Sequence, residues 1–326
     1  MTVTVQRGVD AETTTPKSQE PHTVETPPRT PTGRTTAAYQ LLTRIQSSYD
    51  ALEQLPSLAP GERVNTILTD LVDLCIQPLS GEQLTQLLGM NQAIALFRRL
   101  RPLCAMAEGE LEQYWARRII QAARSSDRPA AHHLSEFPYV QNYIDLSRLE
   151  CSTLDAFLSA PPQHVAFIGS GPLPLTSLCM RDRYPHTKIH NIDRDESALQ
   201  ISQDLCKELG YDMSFAREDV SVDNAYHGDV RNESHATDWQ TFDVVFLAAL
   251  VGMDTPSKLA ILSTLALKLR PGTLVVARSA RGLRSVLYPI LELSEDIEEI
   301  GYEVLVEVHP WTKVVNSVIV LRVKRP

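Results

Sequence analysis

A chain of 326 residues with 43% hydrophobic content can bury a sizeable core, as one large domain or two of ordinary size. Its net charge is -9 and no run of Lys and Arg stands out, which excludes a polyanion-binding surface; neither nucleic acid nor anionic membrane is an expected partner, and a small molecule is. Five cysteines, Cys75, Cys104, Cys151, Cys179 and Cys206, are an odd, scattered set without a C-x-x-C pair, which argues against a disulfide framework and a zinc site.

In chain order, residues 1–34 are rich in Thr, Pro, Glu and Lys, a composition that cannot bury enough apolar surface to order itself, and a disordered tail is expected. The acids Asp10, Glu12, Glu20 and Glu25 are unusual for a transit peptide. No apolar leader and no membrane-length apolar segment is visible, so the expected compartment is the cytoplasm. Residues 35–158 show helical periodicity, as in Ile67, Leu71, Leu74 and Cys75 and again in Leu84, Leu87 and Leu88, with Pro102 and Pro129 expected to break helices locally.

From 159 to 326 short apolar runs alternate with amphipathic helices, which predicts a parallel sheet with right-handed crossovers. Strands are expected near 165–168, 189–192, 213–216, 244–248, 274–277, 304–308 and 317–323, and the polar stretch 221–232 as a surface loop. The short connection from Pro310 to Asn316 makes the final strand antiparallel. The expected fold class is therefore α/β: a Rossmann-like, seven-stranded, mostly parallel sheet of the S-adenosylmethionine-dependent methyltransferase type, behind an all-helical N-terminal domain.

The first strand runs into Gly169-Ser170-Gly171-Pro172-Leu173-Pro174, a turn whose glycines let the backbone approach a ligand. It has G-x-G without the third glycine of the dinucleotide fingerprint, which favours a single nucleoside over a pyrophosphate cofactor. Asp193, after the second strand, is placed to accept both ribose hydroxyls, with Asp195 or Glu196 left to cap the next helix. Asp219, followed by Val220 after the third strand, is placed for an adenine amino group, although a solvated loop acid reads equally well. His132-His133 and the remaining histidines do not share one helix face in metal-ligand spacing, so no bound metal is expected.

Several phrases carry a resemblance. FIGSGPLPLT at 167–176, FDVVFLAALVGM at 242–253, and RSARG at 278–282 with LYP at 287–289 closely resemble the nicotianamine synthase family. The likeness extends to HP at 309–310 with VNSV at 315–318, to AEGELE at 107–112 and to FPYVQNY at 137–143, so it covers about Leu74 to Val323. It implies a reaction in which the α-amino nitrogen of one S-adenosylmethionine attacks the γ-carbon of another, expelling methylthioadenosine. Three molecules are condensed, with a closing step that makes an azetidine ring. S-adenosylmethionine is then the substrate, and no further cofactor is implied. The product's amines and carboxylates suit iron, zinc, copper and nickel.

The resemblance also assigns roles. An amine must be neutral to attack, which calls for a base near it, and Glu112 is the first candidate, with Glu108 one turn away on the same face. Tyr139 and Tyr143 stand in the family's F-P-Y-x-x-N-Y phrase, Tyr139 for catalysis and Tyr143 for substrate binding. Val140 departs from the second tyrosine usual in plant members. Gly169, Ser170, Gly171, Pro172, Leu173, Asp193, Asp219, Val220, Ala248, Ala249 and Leu250 are the expected nucleoside and methionyl contacts. Arg278, Ser279 and Tyr288 are expected to meet substrate carboxylates; Arg278 could equally pair with a structural acid. Two other activities stay open: a single aminobutyrate transfer to a different amine, and methyl transfer, which the fold alone would suggest. No oligomeric state is implied.

Overall fold

A computed structural model describes residues 33–221 and 237–324. The expected N-terminal tail, apart from its last two residues, which open the first helix, and most of the 221–232 loop lie outside these residues.

Six helices come first: α1 (Gly33–Glu53), α2 (Glu62–Ile76), α3 (Gly81–Leu88), α4 (Asn91–Ser125), α5 (Ala130–Leu134) and α6 (Val140–Asp155). A capping box between Ser80 and Gln83 starts α3, each side chain bonding the other's backbone N–H. Pro102 does not break its helix as the sequence suggested: α4 runs through it for 35 residues, about 50 Å. The proline removes one backbone bond, and burial of Leu96, Phe97, Leu100 and Cys104 on both sides of it keeps the helix whole. That length matters. The first half of α4 packs with α1–α3 and with Leu283, Val286, Leu287 and Val315 from far along the chain. The second half packs Ala116, Ile119 and Ile120 against Leu178, Leu205 and Cys206.

The sheet consists of β1 (His164–Ile168), β2 (Lys188–Asp193), β3 (Ser214–Arg217), β4 (Val244–Leu247), β5 (Leu274–Ser279), β6 (Tyr302–Val308) and β7 (Ser317–Val323), in the order β3-β2-β1-β4-β5-β7-β6. All neighbours are parallel except β7, antiparallel to both β5 and β6. The expected Rossmann-like, seven-stranded methyltransferase-type sheet is thus present.

Helices α7 (Leu175–Arg183), α8 (Glu196–Leu209), α9 (Thr255–Lys268) and α10 (Glu295–Glu299) follow strands. In β1, Val165 and Phe167 pack toward α6 and α7, whereas Ala166 and Ile168 face the core of α9; this is the period-two alternation of a strand covered on both faces. Asp195 caps α8, its Oδ1 accepting from Ser197 N (2.8 Å) and Ala198 N (3.3 Å), so the neighbouring Asp193 is not spent on a helix end. Among the described residues no helix is long and apolar enough to cross a membrane.

Candidate active site

The switch point of the strand order lies between β1 and β4, and the glycine turn sits at its carboxyl end. Gly169 N and Ser170 N both donate to Ile192 O, at 2.8 and 3.3 Å, tying the turn to β2. Gly169 and Gly171 adopt φ +78 and +64, where L side chains are strained. Each Asp193 oxygen has one backbone partner, Oδ2 accepting from Gly171 N (2.9 Å) and Oδ1 from Asp195 N (3.0 Å). Asp219 Oδ1 accepts from Ser221 N at 3.0 Å. Beyond these acids an open depression of about 690 Å³ is lined by Arg194, Asp195, Arg217, Glu218 and Asp219. Ser170 is buried, its Oγ without a partner among the described residues, while Leu173 and Val220 are packed into apolar cores.

The far half of α4 brings an acid to the turn. A Cβ added to Gly171 would lie 2.8 Å from Glu112 Oε2. The other oxygen, Oε1, accepts from the Tyr143 hydroxyl at 2.6 Å. One turn earlier, Glu108 Oε2 accepts from the Tyr288 hydroxyl at 3.0 Å. Both acids are half-buried by surface area, but protein surrounds them closely enough for loss of water to dominate their ionisation. Burial and then repulsion from Glu108, with a smaller push from Asp193, raise Glu112 from the usual 4.5 to about 8; the Tyr143 bond and Arg278 oppose this. Burial raises Glu108 too, against the Tyr288 bond and Arg278. Burial and the adjacent acids push both phenols well above their ordinary value, so they remain donors.

Behind the pair lies Arg278, at the end of β5. Its Nε donates to Glu150 Oε1 at 2.7 Å and its Nη2 to Glu150 Oε2 at 3.0 Å and to Thr176 Oγ1 at 2.7 Å. Burial would lower Arg278, but Glu150 outweighs it and holds the guanidinium charged. Ser279 is fully buried, its Oγ accepting from Leu291 N at 2.9 Å.

The loop after β4 closes the turn from the other side. The side chains of Ala248 and Val251 press on Gly169, leaving no room for a Cβ there. Lys258, buried in α9, donates from Nζ to Ala249 O and Val251 O, both at 2.9 Å. Burial lowers this amine from 10.5 to about 7. Leu250 is half-buried. Tyr139 sits at the N-cap of α6 with its ring edge-on to Phe137 at 5.8 Å, and neither acid of the pair bonds to it.

The family model described as nicotianamine synthase protein matches residues 35–326. The chain belongs to the nicotianamine synthase family. "Nicotianamine synthase 3" of Oryza sativa subsp. indica is 39% identical over 292 residues, covering 87% of this chain and 78% of that one. "Probable nicotianamine synthase 4" of Arabidopsis thaliana is 38% identical over 290 residues, covering 87% and 82%. Two solved structures share the fold. A mutant of MtNAS in complex with S-adenosylmethionine has a TM-score of 0.69 at 20% identity, covering 87% of this chain and 98% of that chain. MtNAS in complex with MTA and tNA also has a TM-score of 0.69 at 20% identity, covering 89% and 98%.

In this nicotianamine synthase family member, the structure thus draws together Glu108, Glu112, Tyr143, Tyr288, Arg278, Asp193 and the glycine turn. Three participants escaped the sequence reading: Glu150, Thr176 and Lys258. Two had left a signal. Glu150 stands between Leu146 and Leu154 on one helical stripe, and Lys258 shares a stripe with Ile261, Leu262 and Leu265; a charge within an apolar face asks for a buried partner. Thr176 left none.

Proposed function

We propose that this family member is a nicotianamine synthase in activity, with Glu112 as the base that frees the attacking amine. The observation carrying the proposal is Glu112 Oε2 against Gly171, which sets a proton acceptor beside the nucleoside turn. An α-amino group titrates near about 8, and a carboxyl held at about 8 is matched to it.

In each transfer the amine's lone pair forms a bond to the γ-carbon of a second S-adenosylmethionine. The S–C bond breaks, and its electron pair neutralises the sulfonium, which leaves as methylthioadenosine. The nitrogen's proton passes to Glu112. Three donors are consumed, the last attack being intramolecular and closing the azetidine ring. The sulfonium activates three carbons, so regiochemistry rests on positioning. Asp193 holds the ribose, the depression by Asp219 takes the base, and the Ala248–Leu250 backbone supports the methionyl arm. Tyr143 and Tyr288 fix the acids, and the Arg278 edge turned from Glu150 meets a substrate carboxylate. Glu108 adds negative charge that favours a cationic substrate. Residues 35–158 form the helical part that delivers the acids and 159–326 the part that binds S-adenosylmethionine. All five cysteines are unpaired thiols, which supports a cytoplasmic setting.

The test is incubation of the purified chain with S-adenosylmethionine alone, followed by mass spectrometry. Methylthioadenosine together with a nicotianamine mass is expected. S-adenosylhomocysteine appearing with an added acceptor would overturn the proposal in favour of methyl transfer, and methylthioadenosine formed only with another amine would make it a single-transfer enzyme.

A further inference from the structure

Helix α6 serves the acid pair twice. Tyr143 and Glu150 are seven residues apart, about two turns, and therefore share a face. The first bonds Glu112; the second takes Arg278 through both carboxylate oxygens. Glu150 is fully buried and Arg278 nearly so, and the guanidinium carbon lies 5.4 Å from the centroid of the Phe167 ring. The Glu150 and Thr176 bonds occupy the Nε and Nη2 positions, so among the described residues the Nη1 position has no protein partner.

We propose that Glu150 is a positioning residue for the reaction: it orients Arg278 and sets how much of that positive charge is felt by Glu112. The inference rests on Glu112 being the base. Glu112 faces Glu108 on its own helix, Tyr143 on α6, Asp193 at the end of β2 and Arg278 at the end of β5, with Tyr288 bonded to Glu108. Of these groups Arg278 alone is a cation, and it favours both carboxylates. The Glu150 carboxylate, bonded to Nε and Nη2, reduces the net charge of the guanidinium cluster to about zero. What Glu112 then meets is an ion pair rather than a full charge, and it can remain a proton carrier at neutral pH. A purely apolar bed under Arg278 would leave an unbalanced cation that drives Glu112 to a permanently ionised, weakly basic state.

The test follows the Glu112 carboxyl directly in the substrate-free chain, by its infrared C=O stretch against pH, the band being assigned by its loss in Glu112→Gln. Glu150→Gln is expected to move the midpoint down by on the order of one pH unit. Thr176→Val, which removes a neutral bond to the same Nη2, is expected to leave it in place. A folded Glu150→Gln whose midpoint matches the wild type overturns the proposal. Should that variant not fold, Glu150→Gln with Arg278→Met leaves no unpaired buried charge. A midpoint within half a unit of wild type then supports the balance, and any larger displacement overturns it. Failure of the wild type to make nicotianamine would sink the proposed function, while this titration, read without substrate, would still decide the charge balance.

Discussion

Glu112 Oε2 occupies the space in which a side chain on Gly171 would begin, 2.8 Å from its first carbon. The contact joins a helix from the first half of the chain to the turn between β1 and α7 in the second. It also explains why this glycine is needed twice over: for its φ of +64 and for the room it gives the acid.

Gly171→Ala should therefore fold, at a backbone cost of about 1–2 kcal/mol, yet lose activity out of proportion. Displacing Glu112 by an ångström is expected to lower kcat/KM by about 10²-fold. Steady-state kinetics beside a thermal melt measures both; a variant with wild-type kcat/KM would refute the packing argument.

Glu112→Gln should trade activity for stability. The folded chain keeps a proton on Glu112 between pH 4.5 and about 8, where the unfolded chain has released it. Wild-type stability thus falls as pH rises through that window, and the amide removes the penalty. At pH 8 the variant should be more stable by on the order of a few kcal/mol, with little difference at pH 4, while kcat drops about 10²–10⁴-fold. Denaturant melts at the two pH values are the check.

Loss of the Tyr143 hydroxyl should shift the rate profile. A base must be deprotonated to act, so kcat/KM of the wild type is expected to rise with an acid limb centred near about 8. The phenol at 2.6 Å favours the carboxylate. Without it, in Tyr143→Phe, the limb should move to higher pH. A limb that stays put, or moves down, would show that another group sets the profile.

Lys258→Met tests the loop over the glycine turn. Removing Nζ leaves the Ala249 and Val251 carbonyls without their 2.9 Å donor, and each such bond is worth about 1.5–3 kcal/mol. The loop should loosen around the donor's methionyl arm, raising KM for S-adenosylmethionine about tenfold with a smaller fall in kcat. Wild-type stability carries a second signature. The unfolded lysine holds its proton up to 10.5 and the folded one only to about 7, so this group makes stability rise with pH between those values. The variant should lack that rise.

The strands were legible because a sheet covered on both faces is written as short, nearly continuous apolar runs, and each expected strand agrees with the structure to within a residue or two at its ends. The glycine turn and Asp193 were legible for the same reason, since strand ends fix where they fall. Pro102 was misread because proline's local cost is small beside the packing on both sides of it, and packing is invisible in a local window.

By itself, then, the sequence determined the sheet, the glycine turn at the end of its first strand, the family and the acids Glu108 and Glu112 on one helical face. Only the tertiary structure decided how those acids ionise. Burial and mutual repulsion raise Glu112, and both depend on distances across α4, α6, β1 and β5 that no spacing along the chain encodes. It likewise decided that Arg278 is clamped by Glu150, 128 residues away, because an ion pair is selected by proximity in the folded chain and by the cost of burying either charge alone.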